Sequence, residues 1–186
     1  IETKMLTAIG DDNVGKTIKN HSPHEKLDFS DVLAVRGQET ATYLYIADQN
    51  GDMVCAIADM RVFDFISPDY IESKKSLISN AKAVVLDANI PTETMLKLTE
   101  IYDGPIFVDP VSTEKGRKLK TFLKYIHTLK PNKMEAEMLS GVSIVDEKTL
   151  KEAADILLNA GVKRVFISLG RDGVYAASHN KTIKAP

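Results

Sequence analysis

The chain contains no tryptophan and one cysteine in 186 residues, and only 6% of its residues are aromatic. A single thiol excludes a disulfide framework. The scattered His21, His24, His127 and His179 offer no zinc-binding spacing. Cys55 lies in the apolar run Met53-Val54-Cys55-Ala56-Ile57-Ala58, the setting of a structural thiol and not of a nucleophile. A formal net charge of −2, with no basic run and no interleaving of aromatic and basic residues, argues against a nucleic-acid polymer as partner. No apolar stretch approaches membrane-spanning length and no signal-peptide pattern opens the chain, so no membrane partner is expected and the cytoplasm is the expected compartment. A small molecule is what these absences leave as ligand.

With 44% hydrophobic residues the chain can bury one good core, which predicts a single domain over 1–186 with an appendage. A first strand falls around Met5 to Ile9. Strands then alternate with helices: Ala83 to Leu86 before a helix near Thr92 to Tyr102, Ile106 to Val108 before one near Glu114 to Tyr125, and Ile126 to Leu129 before one opening at Asn132. A helix over about Asp146 to Ala160, closed by Gly161, carries Leu150, Ala153, Ala154, Leu157 and Leu158 on one stripe, and the strand Val165 to Ser168 follows. This alternation predicts a doubly wound, mainly parallel α/β sheet with helices on both faces. One section breaks it. Thr40 to Ile46 and Met53 to Ile57 flank Asp48-Gln49-Asn50-Gly51-Asp52, a hairpin signal that predicts an antiparallel lid over about 38–62. Leu44 and Ile46 lie on one side of that ribbon and Tyr43 and Tyr45 on the other. The ribbon therefore either folds onto the body or is covered by a substrate or a second subunit, and a homodimer through the hairpin is one such cover.

Two motifs carry chemistry. Pro131 stops an apolar strand, Asn132 suits a helix cap, and Glu135 stands one turn in. The pair suits a phosphate held at a helix start with a cation beside it, and it equally suits a capping box whose members satisfy each other's backbone. Farther on, Ser168-Leu169-Gly170-Arg171-Asp172-Gly173 ends a strand with two glycines three apart, which suits either a ligand approaching the backbone or a plain hairpin turn. Both motifs fall at the carboxyl ends of strands, where open α/β sheets bind ligands.

These stretches, with Ala8 to Gly15, the hairpin and Val108-Asp109-Pro110-Val111-Ser112, resemble the ribokinase-like (PfkB) family of carbohydrate and nucleoside kinases over nearly the whole chain. Within it the chain is most similar to the pseudouridine kinases, on Thr-Ala-Thr-Tyr, Gly-Asp-Met with Ala-Asp-Met, Asp-Pro-Val-Ser and His-Thr-Leu-Lys-Pro-Asn. The resemblance implies a kinase that moves a phosphoryl group from ATP, with Mg2+, to the 5′-hydroxyl of a nucleoside, pseudouridine in particular. It implies that Asn132, Ser168, Gly170 and Gly173 bind ATP, that Glu135 and Asp109 serve the metal, and that Thr40, Thr42, Tyr43, Asn89 and Lys130 meet the substrate. Asp109 and Asn89 each also suit a turn before or near a proline, and Lys130 suits a solvated strand end. Gly10-Asp11-Asp12 and Gly15 match a tight family loop that is mainly structural.

The family's Gly-Ala-Gly-Asp motif, with its general-base Asp and anion hole, does not occur in these residues, nor do its amino-terminal sugar-gripping segments. The chain by itself is therefore expected to be weak or inactive as a catalyst. Ribose, adenosine or a fructose phosphate are the competing acceptors, and a non-catalytic nucleotide or nucleoside module is the competing class. A dinucleotide oxidoreductase fails on spacing, since Ile9-Gly10-Asp11-Asp12-Asn13-Val14-Gly15 is not Gly-x-Gly-x-x-Gly.

Overall fold

A close backbone crossing at Gly10 organises the first of the two units into which the chain divides, 1–70 and 71–186. The computed structural model describes residues 2–22, 27–50 and 53–186; His24 and the Gly51-Asp52 part of the expected hairpin turn lie outside the described residues. Strand β1 (Ala8–Gly10) runs parallel to β2 (Leu33–Val35), with Gly10 opposite Val35. A methyl group on Gly10 would stand 2.2 Å from the Gln38 carbonyl oxygen, so only glycine lets the two backbones pass. Asp12 caps α1 (Asn13–His21) and also ties the crossing together. Its carboxylate accepts the Gly15 N–H at 2.7 Å, the Thr40 N–H at 2.9 Å and the Thr40 hydroxyl at 2.7 Å, while that hydroxyl accepts the Gly10 N–H at 3.0 Å.

The hairpin forms as β3 (Thr42–Ala47) and β4 (Met53–Asp59), antiparallel from Thr42 opposite Asp59 to Ile46 opposite Cys55, with a register shift at Ile46/Ala47. It is a sheet of two strands. Its apolar side chains do not fold down onto the chain: Tyr43, Leu44, Tyr45, Ile46, Val54 and Ile57 are all exposed, Ile57 to 75%. Cys55, expected to be a structural thiol, is exposed on this ribbon, because alternation along a two-stranded sheet buries neither face without a partner layer. A 3₁₀ turn over Arg61–Phe65 and helix α2 (Pro68–Ser73) follow, and Val62 and Ile66 join Ala8, Ile9 and Val35 among the buried residues. Tyr70 donates its hydroxyl to the Asp31 carbonyl at 2.6 Å, and burial pushes its phenol up to about 12.

In the second unit α3 (Lys75–Ser79) leads to β5 (Val84–Asp87), α4 (Thr92–Ile101), β6 (Ile106–Asp109), α5 (Thr113–Gly116), β7 (Thr128–Leu129), α6 (Lys133–Ser140), α7 (Glu147–Asn159), β8 (Arg164–Ser168), β9 (Val174–Ser178) and β10 (Lys181–Ala185). The sheet order is β10-β9-β8-β7-β6-β5, parallel from β5 to β8 and antiparallel beyond. The mainly parallel α/β sheet expected from the alternation is thus present, together with the separate antiparallel hairpin. Leu150, Ala153, Ala154, Leu157 and Leu158 of α7 are buried as their spacing requires, Asp146 caps the helix, and Gly161 follows it at φ 112°. Burying side chains such as Leu157, Val165 and Ile167 stabilises the fold by about 1.5–3 kcal/mol each. Along β5 and β8 buried and exposed residues alternate, and Val85 on the edge strand is 82% exposed.

The helix expected over Glu114 to Tyr125 is broken. After α5 come 3₁₀ turns at Arg117–Thr121 and Leu123–Tyr125. Buried Leu119 and Phe122 stand three apart, and a 3₁₀ turn stacks residues three apart directly over one another where an α-helix would offset them by about 60°.

Three carboxyls of the first unit titrate below the ordinary carboxylate range: Asp12 through the Gly15 and Thr40 amides, Asp28 chiefly through the Lys4 ammonium, and Asp59 through Arg61, which holds it at about 2. Depressed native values mean that the unfolded chain binds more protons in acid. Their stabilisation is complete above about pH 4 and is lost as pH falls toward about 2. Thermal melts of the full-length protein should therefore show a falling midpoint below about pH 4, with a shallower fall in Asp12→Asn; a flat profile would contradict the Asp12 lock.

Candidate functional site

The carboxyl ends of β5 to β8 gather most of the residues singled out from the sequence. Pro131 cannot donate to the sheet and ends β7, yet its carbonyl oxygen accepts the Ser168 N–H at 2.9 Å. Asn132 and Ser168 consequently pair as an isolated parallel bridge beyond the two strands. That bridge sets the start of α6 beside the turn that closes β8. The turn itself is a 3₁₀ step, Gly170 to Asp172, with Gly170 at φ 61° and Gly173 at φ 81°, and the Leu169 N–H donates to the Gly173 carbonyl at 2.8 Å. It is both the link of the β8–β9 hairpin and an exposed glycine bend at a sheet edge. The four residues expected at ATP, Asn132, Ser168, Gly170 and Gly173, lie together here.

Asn132 and Glu135 form the capping box in full. The Asn132 side-chain oxygen accepts the Glu135 N–H at 2.9 Å, and Glu135 Oε2 accepts the Asn132 N–H at 2.8 Å. Glu135 is only 4% exposed. One oxygen of this carboxylate thus holds the helix start, which ties any metal contact of Glu135 to the integrity of the cap. No group of three or more His, Cys, Asp or Glu side chains is arranged for a metal among the described residues. A magnesium ion needs only one or two carboxylates when substrate phosphates and water complete its shell, so the donor set here fits a water-bridged ion rather than a protein cage.

Asp109 ends β6 directly opposite Asp87 of β5. Its carboxylate accepts the Val111 N–H at 2.9 Å and meets the Lys130 ammonium at 3.2 Å. Both side chains of that ion pair are well exposed, so it contributes at most about 1 kcal/mol and can exchange for another partner. Val111 adopts φ 68°, a left-handed conformation that costs a β-branched residue about 1–3 kcal/mol. The Asp109 turn and the Ser112 cap on α5 hold it there. Asn89 sits beyond β5 in an Asx turn, its N–H given to Asp87 at 2.7 Å. Its side-chain oxygen faces Lys115, 2.5 Å away, a residue that sequence spacing did not single out because it lies 26 positions along the chain.

The substrate residues expected from the first unit divide. Thr40 is 5% exposed, with its hydroxyl engaged by Gly10 and Asp12, so here it locks the unit. Thr42 and Tyr43 are exposed at the base of β3, on opposite faces of the ribbon, so a ligand on one face meets only one of them.

Comparison with known proteins adds the context. The family model described as pfkB family carbohydrate kinase matches residues 1–186. Pseudouridine kinase of Escherichia coli K12 is 35% identical over 172 residues, covering 92% of this chain and 55% of its own length. Ribokinase of Staphylococcus aureus is 26% identical, covering 97% of this chain and 60% of its own length. The structure of an Arabidopsis thaliana ribokinase complexed with ribose and ATP superposes with a TM-score of 0.84 at 20% identity, covering 98% of this chain and 60% of that one, a likeness of fold. The chain thus spans little more than half the length of these relatives.

The capping box makes a separable prediction for position 135. Glu135→Gln keeps an acceptor for the Asn132 N–H and should leave unfolding free energy within about 0.5 kcal/mol of wild type. Glu135→Ala strands that amide and should lose about 1–2 kcal/mol in urea titration; equal effects of the two would refute the cap.

Proposed function

The chain belongs to the pfkB family of carbohydrate kinases, and on that premise we propose that the protein transfers a phosphoryl group from ATP to the 5′-hydroxyl of a nucleoside, with pseudouridine as the acceptor. The observation that supports the donor half is the Asn132–Ser168 bridge, which brings a helix start and a glycine bend to one corner of the sheet. The first-turn amides of α6 that the capping box does not use, and those of the bend that its own turn does not use, offer N–H groups to a polyphosphate there, with the helix dipole favouring its charge. Magnesium, when bound, would neutralise charge on the phosphate oxygens; Asp109 and Glu135 are the carboxylates that would face its water shell. Asn89 and Lys130 face the acceptor in this reading, and Thr42 and Tyr43 belong to a lid, over about 38–62, that excludes water from the reacting phosphate. The choice of acceptor rests on the identity to the bacterial pseudouridine kinase. The likeness to a ribokinase supports a second reading, in which the acceptor is a free sugar.

An ATP-consumption assay on the full-length protein with pseudouridine, uridine, adenosine and ribose separates these. Pseudouridine should drive turnover at least tenfold above the others and yield the 5′-monophosphate. Preference for ribose would install the sugar reading, and ATP binding without turnover on any acceptor would indicate a nucleotide-binding module. In the active protein Glu135→Gln should shift the magnesium dependence to higher concentration while stability is held.

The ribbon of β3 and β4, apolar and exposed on both faces, is covered by the same ribbon of a second copy. Sedimentation equilibrium of the full-length protein should report a dimer that Leu44→Glu dissociates; a wild-type monomer at micromolar concentration would overturn this.

A further inference from the structure

The loop after β5 is held by lysines from a distant segment. Lys115 Nζ donates to the side-chain oxygen of Asn89 at 2.5 Å, and Lys118 Nζ donates to the Ile90 carbonyl at 2.7 Å. Both lysines descend from the turn that follows β6, where Val111 is strained and Ser112 caps α5 by accepting the Lys115 N–H at 3.2 Å. Gly116 lets α5 press close, since a methyl group there would stand 3.0 Å from Pro110 Cβ and 3.1 Å from Met138 Cε. Backbone packing therefore fixes where the Lys115 side chain starts, and its ammonium reaches Asn89 from there.

That contact decides which end of the Asn89 amide is available. An ammonium has three donors and no acceptor, so the atom facing it must be the carbonyl oxygen. The Asn89 backbone N–H is already given to Asp87. With its backbone N–H so used, the donor that Asn89 has left for a ligand is Nδ2, which this orientation turns away from Lys115. We propose that Lys115 is a specificity-determining positioning residue: it turns the Asn89 amide so that Nδ2 is offered to the phosphoryl-acceptor substrate, which therefore presents an oxygen acceptor, a hydroxyl or carbonyl oxygen, at this point. The proposal rests on the kinase reading and deepens it, by converting a residue of ambiguous polarity into a donor.

Five variants of the full-length protein test it. Asn89→Asp keeps a partner for Lys115 and the turn to Asp87, but replaces the donor by an acceptor; it should raise KM for the acceptor substrate at least tenfold, with KM for ATP within twofold and an unchanged or higher melting point. Lys115→Met frees the amide to rotate and should raise acceptor KM about fivefold to tenfold. Lys115→Arg, which still only donates, should restore most of that loss. Lys115→Met combined with Asn89→Ala should be no worse than Asn89→Ala alone, because the lysine acts only through the amide. A merely structural contact would leave acceptor KM in Asn89→Asp at the wild-type value, and that result, additive effects in the double variant, or equal changes in both KM values would overturn the proposal. A wild-type protein that phosphorylates no acceptor would instead overturn the kinase reading, and this inference with it.

Discussion

The carbonyl of Pro131 accepting the Ser168 amide is the contact on which the corner between α6 and the turn after β8 depends. A proline ends the shortest strand of the sheet and has no amide to extend it, yet its carbonyl still pairs across to β8. One backbone hydrogen bond thereby fixes the spacing between the first turn of α6 and the glycine bend. The capping box then completes the helix start from within.

Charge at this edge is balanced locally. Asp87 and Asp109 lie side by side on β5 and β6, and lysines 115, 118 and 130 reach the same loops. Within the second unit the β6–α5 turn does more than connect: its strained Val111 aims α5 back at the end of β5, so that a lysine from one crossover orients an asparagine on the next. Strain of this kind persists only where neighbours over-determine it, here through the Asp109 turn, the Ser112 cap and the packing at Gly116.

The first unit follows a different logic. Its stability near the crossing comes from a carboxylate shared by three donors, with Thr40 as the relay between Gly10 and Asp12. The hairpin beyond it buries almost nothing of its own.

Much of this was legible in residue order. The stripe on α7, its Asp146 cap and trailing Gly161, the Asn-Gly hairpin, the Pro-Asn-x-x-Glu helix start and the strand alternation are local signals, set by backbone sterics and by a period of two or 3.6 that survives in any tertiary setting. The breakdown of the 114–125 helix was not legible, because the 3₁₀ step answers to what Leu119 and Phe122 must face. The resemblance placed Thr40 at a substrate and gave no sign of its bond to Asp12, the apolar run around Cys55 pointed to a covered thiol where the thiol is exposed, and no motif said that Lys115 finds Asn89. Sequence by itself determined which segments form elements and where the punctuation between them lies. Only the tertiary structure decided which polar groups meet, since a hydrogen bond between residues 26 or 37 positions apart depends on how strands are ordered in the sheet, and no local preference encodes that order.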